Sequence, residues 1–159
     1  AGVLDGGVSA RLSRNLVRGQ QLAASANASY DLTNRLDALL TLSGVPVPGV
    51  DSEQLIAALQ TEVTRLQEEP VSAGELATVR AQVVAADVYQ RDSVFYQAME
   101  LGILETVGLG WRTQREYIPA VETVTPQQVQ AVARKYLRPE RLTVAVLVPQ
   151  SMDVTGANK

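Results

Sequence analysis

The spacing of apolar positions changes along the chain, and the changes mark out its elements. In the stretch 11–30, RLSRNLVRGQQLAASANASY, Leu12 and Leu16 stand four apart with Val17 beside them, while Arg11, Arg14 and Arg18 take the wet face. That spacing predicts an amphipathic helix. Ser9 suits its N-cap, Arg18 its carbonyl end, and Gly19 a left-handed stop. The period then falls to two. Ala24, Ala26, Ala28 and Tyr30 lie on one side and Ser25, Asn27 and Ser29 on the other, as in a half-buried strand. Turn residues at 31–34 lead to a second alternating run, 37–43, with Ala38, Leu40 and Leu42 on one face, so the two runs predict an antiparallel hairpin. Val45-Pro46-Val47-Pro48-Gly49 reads as an extended linker, because each proline fixes its own φ and biases its predecessor away from helix.

Helical spacing dominates the middle. Asp51 and Gln54 open a helix whose stripe is Leu55, Ile56, Leu59, Val63 and Leu66, closed by Pro70. Ser72 and Glu75 form a capping box for the next, with Val71 stapled onto Leu76, and Val79 and Val83 extend its face. Arg91-Asp92-Ser93 breaks the pattern and caps a helix over 94–107, where Gly102 admits a close neighbour and Gly108 and Gly110 end the run. Residues 111–118 predict a short helix stopped by Pro119. Thr125, Pro126 and Gln128 start the last one, with Val129, Val132, Ala133 and Tyr136 facing inward and Arg134, Lys135 and Arg138 at its carbonyl end. The run 141–149, RLTVAVLVP, is apolar on both faces and predicts an interior strand returning to the same sheet. Together these give an α+β fold, a two-layer antiparallel sheet packed on helices. One domain over 1–150 and a polar tail over 151–159 are expected. Ala1 to Leu4 reads as the tail of a helix, which suggests a piece of a longer protein.

Composition narrows the chemistry. Hydrophobic residues make up 46% and aromatics 4%, so the core is built from Leu, Val, Ile and Ala. The net charge of -3, with no basic cluster, argues against a nucleic-acid partner. No apolar run approaches the roughly 18 to 20 residues of a membrane span, so no membrane partner is expected either. Cysteine and histidine are both absent, which removes disulfides, thiolate chemistry and the imidazole that most zinc and Ser or Cys hydrolase sites use. Gly6-Gly7 lacks the spacing of a phosphate loop. The pairs Glu68 with Glu69 and Glu100 with Glu105 read as solvated helix faces. The strand 25–29, if it is a sheet edge, offers itself to an extended peptide by strand addition.

Preceded by Asp5-Gly6-Gly7-Val8-Ser9-Ala10, the 11–30 string resembles the C-terminal half-domain of the pitrilysin/insulinase-type zinc metallopeptidases, which have a Gly-rich turn, a Ser-Ala/Ser-Arg-Leu helix start and a Leu-Val-Arg…Leu-Ala…Ser run in that order. The resemblance continues through Gly49, the segment 66–85 (LQEEPVSAGELATVRAQVVA), Gln97-Ala98-Met99-Glu100, the segment 124–137 (VTPQQVQAVARKYL) and the closing run. It implies the half-domain fold of mitochondrial-processing-peptidase-like metallohydrolases and a non-catalytic role. In that family a His-x-x-Glu-His motif with a distant Glu binds and uses zinc in the other half. The resemblance therefore implies no cofactor in this chain, zinc in the catalytic half of the parent, and no activity of this chain alone. The implied partners are that catalytic half, in the same chain or a partner subunit, and an unfolded peptide. It also places an Arg, here Arg18, and a Tyr seven positions later, here Ser25, toward the substrate backbone. The ordinary role of a helix-end cation also accounts for Arg18, and Tyr30 falls on the opposite strand face from Ser25. Other readings are a non-catalytic partner or structural subunit of the same fold, or a peptide-binding module. A periplasmic location, otherwise a cytoplasmic one, is the expectation from resemblance.

Overall fold

In the computed structural model, which describes residues 1–149, the chain opens with one turn of helix, α1 (Gly2–Asp5), whose Val3 and Leu4 are buried. The expected tail at 151–159 lies outside the described residues. After the Gly6-Gly7 turn a helix starts at Arg11 and is wound as a π-helix over Ser13–Gly19, the Gln20 N–H donating to the Asn15 carbonyl at 2.8 Å. The Arg14 N–H reaches the Ala10 carbonyl at 2.9 Å, so Ala10 and not Ser9 stands at the cap position. The left-handed residue is Gln21 (φ 53) instead of Gly19, because the wide final turn carries the chain further before it reverses.

Two strands follow, β1 (Ala23–Ser29) and β2 (Thr41–Pro46), paired antiparallel with Ala26 opposite Gly44 and Ala28 opposite Leu42. A register shift between Ala23 and Ser25 bulges β1. It buries Ala23 with Ala26 and Ala28 and turns Ala24 out of the face expected for it, while Tyr30 is exposed past the strand end. The second strand starts later than the apolar pattern implied and absorbs Val45 and Pro46, which had read as linker. Leu36 and Leu39 are exposed, and a proline is tolerated as the last residue of a strand with an open edge. Gly44 lets this pair sit close on the next helix: a Cβ there would lie 3.1 Å from Leu55 Cδ2 and 3.3 Å from the Ser25 carbonyl oxygen.

The helices α2 (Ser52–Glu68), α3 (Ala73–Gln90), α4 (Val94–Thr106), α5 (Arg112–Thr123) and α6 (Pro126–Tyr136) follow, and the boxes at Asp51/Gln54, Ser72/Glu75 and Thr125/Gln128 are all formed. Ser93 caps α4, and Gly108 (φ 84) and Gly110 (φ 80) lie beyond its end. Val71 and Leu76 are both buried, as a staple requires. Gly102 has no neighbour that a Cβ would touch, so close approach is not its role. Pro119 does not stop α5. A proline removes one helical hydrogen bond, and the packing of α5 on α3 and α4 carries the helix past it.

The inward face of α6 is Val129, Ala133 and Leu137, with Val132 and Tyr136 largely exposed, because α6 lies along α2. Gln130 and Arg134 donate to the Glu68 and Gln67 carbonyls at 2.9 and 2.6 Å, so Arg134 serves the carbonyl end of α2 as well as its own helix. The core gathers Leu4, Leu12, Leu16, Ala26, Leu55, Leu66 and Leu76 between the strand pair and the helices. Residues 142–149 are not in the sheet. Val144 and Val146 are about half exposed and Leu147 is 93% exposed, against the interior strand that their pattern implied. Apolar alternation stabilises a strand only through a neighbour's ladder and side chains, and the sheet among the described residues is β1 and β2 alone.

Candidate functional site

The π-wound helix and the bulged strand lie side by side, and the two residues that the resemblance alone places toward substrate, Arg18 and Ser25, sit on them. Arg18 is exposed at the end of the helix. One arm of its guanidinium donates to the Val8 carbonyl, tethering the loop that leaves the Gly6-Gly7 turn, and the rest of its donor fork stays open to solvent. Ser25 is exposed on β1 beside the bulge, opposite Val45. The strand's Ala28 N–H is taken up by Asp5 Oδ2 at 3.0 Å, so the edge near that residue is already occupied from within the chain.

Beneath the helix lies a charged cluster in an open pocket of about 580 Å³. Arg11, expected on the wet face, is buried and forks onto Glu75, Nε to Oε1 at 3.0 Å and Nη2 to Oε2 at 3.2 Å. Of the three arginines, Arg11 alone meets protein instead of water, while Arg14 and Arg18 stay exposed. Arg14 adds a longer contact to Glu75 at 3.6 Å. Arg11's donors, reinforced by the Ser72 backbone and hydroxyl against the opposing effect of burial, hold the Glu75 carboxyl down at about 2. Alongside, Glu62 is fully buried. Its Oε2 accepts from Asn15 Nδ2 at 3.0 Å and its Oε1 from Arg65 Nη1 at 2.6 Å. The residue stands on the stripe Leu55, Ala58, Glu62 and Leu66, which is rotated slightly from the expected one, leaving Ile56, Leu59 and Val63 half buried at its margin. Glu62 had no place in the sequence reading. The signal was a charged residue in phase with an apolar stripe.

Nothing among the described residues fits a zinc site. The sequence has no histidine or cysteine, and among the described residues no three Asp or Glu side chains come together. What the arrangement can do is present guanidinium and backbone donors to a carbonyl oxygen or carboxylate. No helix among the described residues is long and apolar enough to cross a membrane.

Residues 1–83 match the peptidase M16 inactive domain. A search of curated proteins finds no match. Among solved structures, a protease from Helicobacter pylori is 18% identical with a TM-score of 0.78, over 88% of this chain and 33% of its own. A candidate zinc protease from Bordetella pertussis Tohama I is 21% identical with a TM-score of 0.81, over 94% of this chain and 81% of its own. The inactive peptidase domain of a candidate zinc protease from Bordetella parapertussis is 23% identical with a TM-score of 0.76, over 97% and 83%. The chain thus spans about a third of the Helicobacter protein and most of the two Bordetella chains, and at these identities the likeness is one of fold.

Proposed function

Since the chain belongs to the peptidase M16 inactive-domain family, we propose that it is the non-catalytic half of a zinc-dependent endopeptidase, closing over a separate catalytic half to enclose and hold unfolded peptide. The family match over residues 1–83 carries this reading. Zinc and the water it activates belong to the other half. This half excludes bulk solvent and orients the chain to be cut. Within it, the free part of the Arg18 fork grips a peptide carbonyl oxygen without ever losing its charge, next to the small side chain of Ser25.

Removing such a charge-assisted bond costs about 1.5 to 3 kcal/mol, so Arg18→Ala, assayed with the catalytic half present, lowers kcat/KM for an unfolded peptide by about ten- to a hundredfold. Arg18→Lys keeps a donor for Val8 but loses the fork, and shares most of the loss. Unchanged turnover in both variants would remove Arg18 from the substrate site.

One observation favours a second reading, a non-catalytic partner or structural subunit of the same fold: Ser25 stands where the family resemblance places a tyrosine. A metal-free, inactive assembly of the two halves would make that reading the leading one.

A further inference from the structure

Glu62 is a carboxylate in the middle of a core stripe, where leucine would extend the packing of Leu55, Ala58 and Leu66. Its cationic partner Arg65 is about half exposed, so a leucine at 62 would leave that charge in water and not buried without a partner, and fold stability alone does not call for an acid there. What the acid does here, and a leucine cannot, is hold Asn15. One carboxylate oxygen takes the Asn15 side-chain N–H and the other is fixed by Arg65. Asn15 also lies inside the π-wound stretch and closes its end: its backbone carbonyl accepts the Gln20 N–H at 2.8 Å, and the Leu22 N–H then reaches the Leu16 carbonyl at 2.9 Å. Arg18 rides on this wide turn. A π-turn carries it to a different direction from the one an α-helical repeat would give, and such turns recur where a side chain must be re-aimed.

We infer that Glu62 is a positioning residue which, through Asn15, sets the π-winding of the helix end and so the direction in which Arg18 points. The inference rests on Arg18 as a peptide-gripping residue, and its test separates the two. In this chain assembled with its catalytic half, hydrogen–deuterium exchange is followed over residues 15–22 alongside thermal melting, and the affinity for an unfolded peptide is measured for Glu62→Leu, Glu62→Gln, Arg18→Ala and the double variant Glu62→Leu/Arg18→Ala.

Glu62→Leu is expected to melt at or above the wild-type temperature while exchange at 19–22 speeds up. Its peptide affinity falls about tenfold, the loss of one charge-assisted bond, and the double variant binds no more weakly than Arg18→Ala. Glu62→Gln, whose amide oxygen still accepts from Asn15, restores the slow exchange. Should Glu62→Leu fail to fold, Asn15→Ala removes the same side-chain bond from a half-exposed position and carries the same expectations. Exchange unchanged in Glu62→Leu, or losses that simply add in the double variant, overturns the inference. If Arg18→Ala leaves affinity untouched, the peptide-gripping role falls, and faster exchange in Glu62→Leu still upholds Glu62 as the residue that sets the turn.

Discussion

Glu75 joins two devices in one side chain. It completes the capping box of α3 and it neutralises the buried Arg11. Arg11's hydrogen bonds lower its carboxyl from the ordinary 4.5 to about 2, so the stability it brings is complete above about pH 4.5 and is lost as pH falls through about 2. Glu75→Gln is expected to lower stability by about 1.5 to 3 kcal/mol at pH 7. In melts taken at stepwise lower pH, its deficit against the wild type should shrink below pH 4.5 and vanish near 2. A deficit that stays constant down to pH 2 would detach the effect from ionisation. The cap was readable from Ser72 and Glu75 alone, because a capping box is local. The ion pair was not, since Arg11 and Glu75 are 64 residues apart and only the packed helix reveals that an arginine on the expected wet face is buried. Glu62 was hidden for the same reason: its acid identity argued for solvent, and its phase with Leu55 and Leu66 argued for the core.

At the scale of elements, local signals placed nearly every helix start. Asp51, Ser72, Ser93 and Thr125 all cap where their residue types and spacing imply. Signals failed where tertiary packing overruled propensity. Pro119 lies inside α5 although it reads as a stop, and α6 is turned so that Val132 faces solvent because α2 takes the side carrying Ala133. Since α5 tolerates a missing hydrogen bond at Pro119, Pro119→Ala is expected to stabilise the chain, by up to about 3 kcal/mol if the helix is otherwise unstrained. A lower melting temperature for Pro119→Ala would show that the proline's shape is needed at that point. Strand edges were less readable than helix starts: a single bulge between Ala23 and Ser25 shifts the inward face from Ala24 to Ala23, and alternation by itself does not announce a bulge.

For the molecule as a whole, the helices and the hairpin account for the core, while residues 142–149 leave an exposed apolar run outside it. An exposed run of apolar side chains invites association. Val146→Lys is therefore expected to change the melting temperature little while reducing light scattering at high concentration. A large drop in stability would mean that Val146 is packed in solution. The fold class and the family resemblance were readable from the 11–30 pattern and the capped helices. The direction of Arg18 was not, because π-winding depends on a partner on another helix. As the proposed enclosing half, this chain supplies no catalytic group of its own. The proposal is tested by following hydrolysis of a quenched unfolded peptide by this chain alone, by the catalytic half alone, and by the two together, with and without a chelator. No cleavage is expected from this chain, little from the isolated catalytic half, and chelator-sensitive cleavage when both are present; cleavage by this chain alone, or full cleavage by the catalytic half without it, would contradict the proposed role.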